Sequence, residues 1–181
     1  MITKKQKEEI IAKCLKYFKN AKIALTDEEK RNIEIADFGF GRINDFGIQL
    51  VTYINTERVC AKELLLFPGQ ICPEHRHPEI NREPGKEEIF RCRWEKIYLY
   101  VPGEPVKNPK GKIPEDKKNY FTVWHEIILN PGEQYTLDAD TLHWFQAGSK
   151  GAIVSEFSTR SRDEADIWTD PEIKRIPEIE E

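Results

Sequence analysis

A chain of 181 residues, 39% of them hydrophobic, is the size of one domain with a single sizeable core. Its 28 Lys and Arg stand against 32 Asp and Glu for a net charge of -4, so nothing marks a nucleic-acid surface. Cys14, Cys60, Cys72 and Cys92 show no CxxC spacing and read as reduced thiols. The opening MITKKQKEEIIAKC has no apolar leader and no run long enough to span a bilayer, so a cytoplasmic protein without membrane contact is expected.

In chain order, residues 3 to 20 are predicted to form an amphipathic helix, with Ile10, Ile11, Cys14, Leu15 and Phe18 at helical spacing among lysines and glutamates. Thr26 followed by Glu29 is a capping box that opens a second, shorter helix. From Gly47 the character changes. The runs GIQLVTYI, VCAKELLLF, EEIFRCR, KIYLYV, YFTVWHEIIL and GAIVSEFS are short, β-rich and bounded by PG, NP or GxxP turns. Such spacing indicates an all-β sandwich or barrel, most economically a double-stranded jelly-roll with the two helices as a cover. The polar stretch 102 to 120 reads as a proline-broken loop or hairpin at the barrel's edge. No repeat or linker divides the chain. One unit is expected, with a helical cover at 1–46, the barrel at 47–171 and a tail at 172–181.

Within the β region, GQICPEHRH carries His75 and His77. Side chains alternate along a strand, so both imidazoles project from one face with Arg76 opposite. Two imidazoles on one face form half of a metal site, unless they are merely polar residues on a solvated face. Downstream, PGEQYTLDADTLHWFQAG supplies His143, and GKEEIFRCRW between the two segments supplies Glu87 and Glu88. The chain has four histidines, and three of them fall in this pattern. The fourth, His125, sits on an expected strand and reads as structural.

These motifs resemble the two signatures of the cupin superfamily. Gly69, His75 and His77 match the first without a gap. Gly132 and His143 match the second by spacing, with Asp138 and Asp140 where Pro and Gly are usual. Cupins carry a Gly seven residues after their metal-binding Glu. That position is Glu95 counted from Glu88 and Trp94 counted from Glu87, and the turn RWEK favours Glu88. More specifically, HRHPE, GKEE, HWFQAG, SEFS and IWTDP, spread over residues 47 to 171, resemble the D-lyxose isomerase family of cupins. The resemblance implies a dimeric aldose-ketose isomerase that uses Mn2+ or another divalent transition ion. It implies free sugars as substrates, D-lyxose with D-xylulose and D-mannose with D-fructose. It carries metal ligands onto His75, His77, Glu88 and His143, and catalytic groups onto Lys86 and Glu156.

The chemistry fits those residue types. Moving a carbonyl from C1 to C2 through an enediol needs a carboxylate base within reach of both carbons, and Glu156 shares a strand face with Val154 and Ala152. Blander readings stand beside it. Glu156 can instead pair with Arg160 or Arg162, Lys86 can be solvated, and Trp94, Trp124, Trp144, Phe90 and Phe145 can be core. Asp166 and Asp170 read as turn caps. An Fe(II) dioxygenase, a non-catalytic sugar-binding cupin and a phosphoglucose-type isomerase remain as alternatives. The last would need free basic residues among Lys62, Arg76, Lys86, Arg91 and Arg93 to hold a phosphate.

Overall fold

The computed structural model describes residues 2–175 and the backbone at 179–180. A short strand β1 (Ile2–Thr3) runs straight into helix α1 (Lys4–Asn20). The helix starts where Thr3 Oγ1 accepts the Gln6 N–H at 3.2 Å and Gln6 Oε1 accepts the Thr3 N–H at 2.8 Å. Helix α2 (Asp27–Arg31) opens on the same reciprocal box, formed by Thr26 and Glu29.

The strands that follow are β2 (Glu34–Ala36), β3 (Ile48–Asn55), β4 (Cys60–Leu66), β5 (Ile71–Arg76), β6 (Glu88–Val101), β7 (His125–Leu129), β8 (Gln134–Leu137), β9 (His143–Ser158) and β10 (Ile167–Trp168). A final strand, β11 (Ile179–Glu180), pairs in parallel with β1. The organising feature is a long antiparallel ribbon of β6 and β9 that belongs to two sheets at once. One half of the ribbon, around Ile97–Val101 and Trp144–Ala147, joins β7 on one side and β5 with β10 on the other. The other half, around Glu88–Cys92 and Val154–Ser158, joins β8 on one side and β4, β3 and β2 on the other. The result is a sheet curled on itself as a jelly-roll, with the large apolar cluster between its faces.

Bulges make the bend. Register shifts fall between Cys92 and Trp94 and between Glu95 and Ile97, and Glu95 takes a left-handed φ of 55°. On β9 the matching irregularity lies at residues 148–151, where Gly151 has a φ of 89°. It changes the inward phase from His143 and Phe145 to Val154 and Glu156. EEIFRCR and KIYLYV are therefore one strand rather than two, and so are HWFQAG and GAIVSEFS. The expected strand YFTVWHEIIL begins only at His125, because Tyr120 ends a 3-10 turn and Thr122 and Val123 give their N–H groups to the Glu74 carboxylate. Residues 34–36 of the expected helical cover are a strand that pairs with β3.

On the opposite face of this half of the ribbon, beneath residues 111–124, Trp144 stacks on Tyr100 at 3.9 Å, and its indole N–H donates to the Val123 carbonyl at 2.8 Å. Outside the barrel, Cys14 and Phe18 of α1 pack on Val51, Leu65, Phe67 and Ile153, which makes the helix a cover for the outer sheet face. Glu74 on β5 is a buried latch. Its carboxylate accepts the Thr122 and Val123 N–H groups at 2.6 and 3.0 Å and the hydroxyls of Thr122 and Thr169 at 2.9 and 2.7 Å. Of the expected tail, residues 176–178 and 181 lie outside the described residues. Arg175 reaches back onto Glu34 and Asp163.

Candidate active site

His75 on β5 stands directly opposite His143 at the start of β9, and His77 follows just beyond the end of β5. Gly69, with a φ of 73°, forms the turn into β5, and Asp140, with a φ of 62°, occupies the left-handed position before His143. Each ring is fixed by its Nδ1. His75 meets the Pro73 carbonyl at 2.8 Å, His143 the Thr141 carbonyl at 2.9 Å, and His77 the Asp166 carboxylate at 2.5 Å. A carbonyl only accepts, so Nδ1 of His75 and His143 carries the hydrogen and Nε2 keeps its lone pair. The three rings bring ligand atoms within 4.8 Å of one another, close enough to hold a metal ion. Trp168 stacks on His75 at 4.6 Å and closes the cluster from the side.

Glu88 opens β6 and is buried, while Glu87 is exposed. Glu88 Oε1 lies 3.2 Å from His77 Nε2 and 3.1 Å from His143 Nε2. The second contact is short but off the hydrogen-bond direction, so the buried His143 Nε2 has no hydrogen-bond partner among the described residues. An unprotonated nitrogen facing a carboxylate oxygen is the arrangement a bound cation satisfies. The donor set therefore fits a divalent transition ion, and the fixed Nδ1 partners are the orienting contacts of metal-binding histidines.

Lys86 is buried and bridges two carboxylates, with its Nζ 2.8 Å from Glu88 Oε2 and 3.2 Å from Glu156 Oε1. Its loop can come this close because Gly85 lies against the His77 carbonyl, where a Cβ would sit only 2.0 Å from that oxygen. Glu156 Oε1 also accepts from Ser158 Oγ at 3.0 Å. Burial works against the Lys86 ammonium, but Glu156 and Glu88 outweigh it and hold the amine well above the ordinary lysine range. Burial equally disfavours ionised Glu88, yet Lys86 and His77 hold it well below the usual carboxylate range. Burial and the neighbouring His143 and His77 push His75 down, keeping it neutral. For His77, burial and Lys86 oppose charging, but Glu88 and Asp166 win and push it up to about 9.

The four expected ligands and the two expected catalytic groups thus share one cavity region between the two sheets. The blander readings meet definite outcomes. Arg160 pairs with Glu57 and Arg162 with Glu83, while Glu156 takes Lys86 instead. Trp124, Trp144, Phe90 and Phe145 are core, and Trp94 packs against Tyr17 of α1 outside the barrel. His125 lies apart, 3.2 Å from the Glu104 carbonyl. Asp170 caps a turn at the Glu172 N–H, at 2.9 Å. Asp166 does not serve only as a turn residue, since its carboxylate orients His77. Sequence spacing missed Asp163 and Arg175 and named Lys62 only as a candidate phosphate contact, and all three line the same cavity.

Residues 16–181 match the family model described as D-lyxose isomerase. The chain belongs to the D-lyxose isomerase family. It is 61% identical over 179 residues to a D-lyxose ketol-isomerase of a Thermofilum species, covering 99% of both chains. It is also 61% identical over 181 residues to a D-lyxose/D-mannose isomerase of Thermosediminibacter oceani, covering 100% of both. The protein is accordingly a sugar isomerase. Among solved structures, the L-ribose isomerase of Cellulomonas parahominis superposes with a TM-score of 0.76 at 15% identity, over 94% of this chain and 93% of that one. The L-ribose isomerase of Acinetobacter sp. DL28 gives a TM-score of 0.73 at 16% identity, over 88% and 82%. At such identities the likeness speaks for the shared jelly-roll fold alone.

Proposed function

We propose that the protein is a metal-dependent aldose-ketose isomerase that interconverts D-lyxose with D-xylulose and D-mannose with D-fructose by proton transfer through an enediol. The carrying observation is the buried Lys86–Glu156 pair beside the three imidazoles and Glu88. In this reading His75, His77, His143 and Glu88 hold the ion, with Mn2+ proposed ahead of other divalent transition ions. When bound, the ion would supply Lewis acidity to the carbonyl end of the sugar. Glu156 takes the proton from one carbon and returns it to the next. Both hydrogen bonds it accepts fall on Oε1, which leaves Oε2 for that transfer. Lys86 spends one N–H on each carboxylate, and its third can stabilise the developing oxyanion in a site shielded from water.

This reading accounts for the buried acid-base pair, which an Fe(II) dioxygenase or a non-catalytic sugar-binding cupin would leave without a task. Free rather than phosphorylated sugars are favoured because each cation lining the cavity already faces a carboxylate. Lys62 faces Asp163, Lys86 faces Glu88 and Glu156, and Arg175 faces Glu34 and Asp163. Among the described residues no helix is long and apolar enough to cross a membrane. A cytoplasmic location and a homodimer of one-unit chains, with cover 1–46, barrel 47–171 and tail 172–181, complete the proposal.

The test is a panel of free and phosphorylated aldoses and ketoses given to chelated and metal-reloaded protein in deuterated water. Manganese is expected to restore turnover of D-lyxose and D-mannose, with deuterium on C1 or C2 of the product. Glu156→Gln should keep its metal but lose about two to four orders of magnitude in turnover. Full activity after chelation would end the metal assignment. Unlabelled product together with a normal Glu156→Gln rate would end the proton-transfer assignment.

A further inference from the structure

Beyond Glu156 the cavity wall carries a second buried ammonium. Lys62, 4% exposed, is the direct cross-strand neighbour of Glu156 in the β4–β9 pair and lines the same cavity. Burying an ammonium is costly unless partners are built for it. Here they are. Its Nζ donates to Ser161 Oγ at 2.9 Å and to Asp163, whose Oδ2 and Oδ1 lie at 2.8 and 3.2 Å. Asp163 is itself braced by Arg175 Nη2 at 3.3 Å. An ammonium has three N–H donors. The clamp sets three acceptor atoms around them, of which Asp163 Oδ1, at 3.2 Å, is the farthest and only duplicates the bond to Oδ2, so a sugar hydroxyl can take that N–H in its place.

An open-chain sugar carries an oxygen on every carbon. Two of them belong with the imidazole end of the cavity if Glu156 is to reach the carbons that bear them. The remaining hydroxyls then lie against the rest of the wall, where Phe38, Ile48, Leu50 and Leu64 offer no side-chain donor. Lys62 does offer one, beside the base.

We propose that Lys62 is a substrate-holding residue, which turns the N–H now facing Asp163 Oδ1 to a hydroxyl of the sugar chain beyond the two reacting carbons while Ser161 Oγ and Asp163 Oδ2 fix the ammonium. This rests on the isomerase reading above. It differs from a purely structural role, in which the Lys62–Asp163 pair only staples the segment after β9 to β4.

The test compares metal-loaded full-length wild type with Lys62→Met, Lys62→Arg and Asp163→Asn. It measures kcat and KM for D-mannose, metal content, Tm, and the calorimetric affinity for xylitol, a linear five-carbon polyol that cannot isomerise. Lys62→Met is expected to keep its metal but lose about 10- to 100-fold in kcat/KM and a similar factor in xylitol affinity, the loss expected for a hydrogen bond to a charged donor. Lys62→Arg should recover part of both losses. Where Lys62→Met does not fold, Asp163→Asn, which loosens the clamp, should raise KM and weaken xylitol binding. Wild-type xylitol affinity and KM in the folded variants, whatever their Tm, would overturn the proposal. Xylitol binding is read without turnover. An inactive wild type would therefore count against the isomerase reading, whereas equal polyol affinities would count against Lys62.

Discussion

Asp166 shows what a single side chain does from outside a set of ligands. Its carboxylate takes the His77 Nδ1 hydrogen and so presents Nε2 to the cluster. Asp166→Asn should weaken metal affinity by about 10- to 100-fold, the usual effect of losing an orienting carboxylate, as measured by competition with a chelator. Turnover should return at saturating metal, which separates this effect from loss of a ligand. His75 and His77 were legible in sequence because strand alternation puts both on one face, and Glu88 was favoured over Glu87 because the turn position seven residues on fell at Glu95. Glu95 indeed has the left-handed backbone of that turn. Asp166 and Lys62 were not legible in these roles. Asp166 reaches His77 across 89 residues and Lys62 reaches Ser161 across 99, so no local periodicity links either to its partner.

At the scale of elements, carboxylates tie or burden the strands. Glu74 on β5 holds residues 122–123 and Thr169 with four accepted hydrogen bonds. Glu74→Gln sets an amide NH2 against some of those donors and should cost about 2–4 kcal/mol, as each buried donor left unpaired costs about 1–3 kcal/mol. A drop in Tm would report it. Glu63 on β4 is the opposite case. Ser155 Oγ donates to it at 2.8 Å, but its Oε2 has no hydrogen-bond partner among the described residues, and burial raises its pKa above 4.5. A raised carboxyl pKa means the folded state keeps a proton that the unfolded chain releases, so Glu63 weakens folding as pH rises above about 4.5. Glu63→Gln should therefore raise Tm at pH 7 by about 2–4 °C, the shift expected of ~1 kcal/mol in a chain of this size. The gain should vanish below about pH 4, where both states carry the proton. Element boundaries were less legible than element types. A bulge interrupts the alternation of buried positions as a turn does, so β6 and β9 each read as two strands.

For the whole molecule, the outer sheet face not covered by α1 bears an apolar row. Ile54, Ala61, Phe157 and Ile89 are successive cross-strand neighbours, and Ile54 and Phe157 are 46% and 45% exposed. If this row joins two copies, Phe157→Asp should shift the sedimentation coefficient from dimer to monomer without changing metal content. A variant that sediments as the wild type would rule this row out as a contact between copies.

The β6–β9 ribbon also fixes the spacing of the site. His143 stands at one end of β9 and Glu156 near the other, so the separation of the imidazole cluster from the Glu156 carboxylate is counted in residues along one continuous strand. Only the irregularity at 148–151 lets both ends face inward. Between residues 147 and 152 the molecule works as a ruler, and one residue more or fewer would turn Glu156 out of the cavity while leaving His143 where it is.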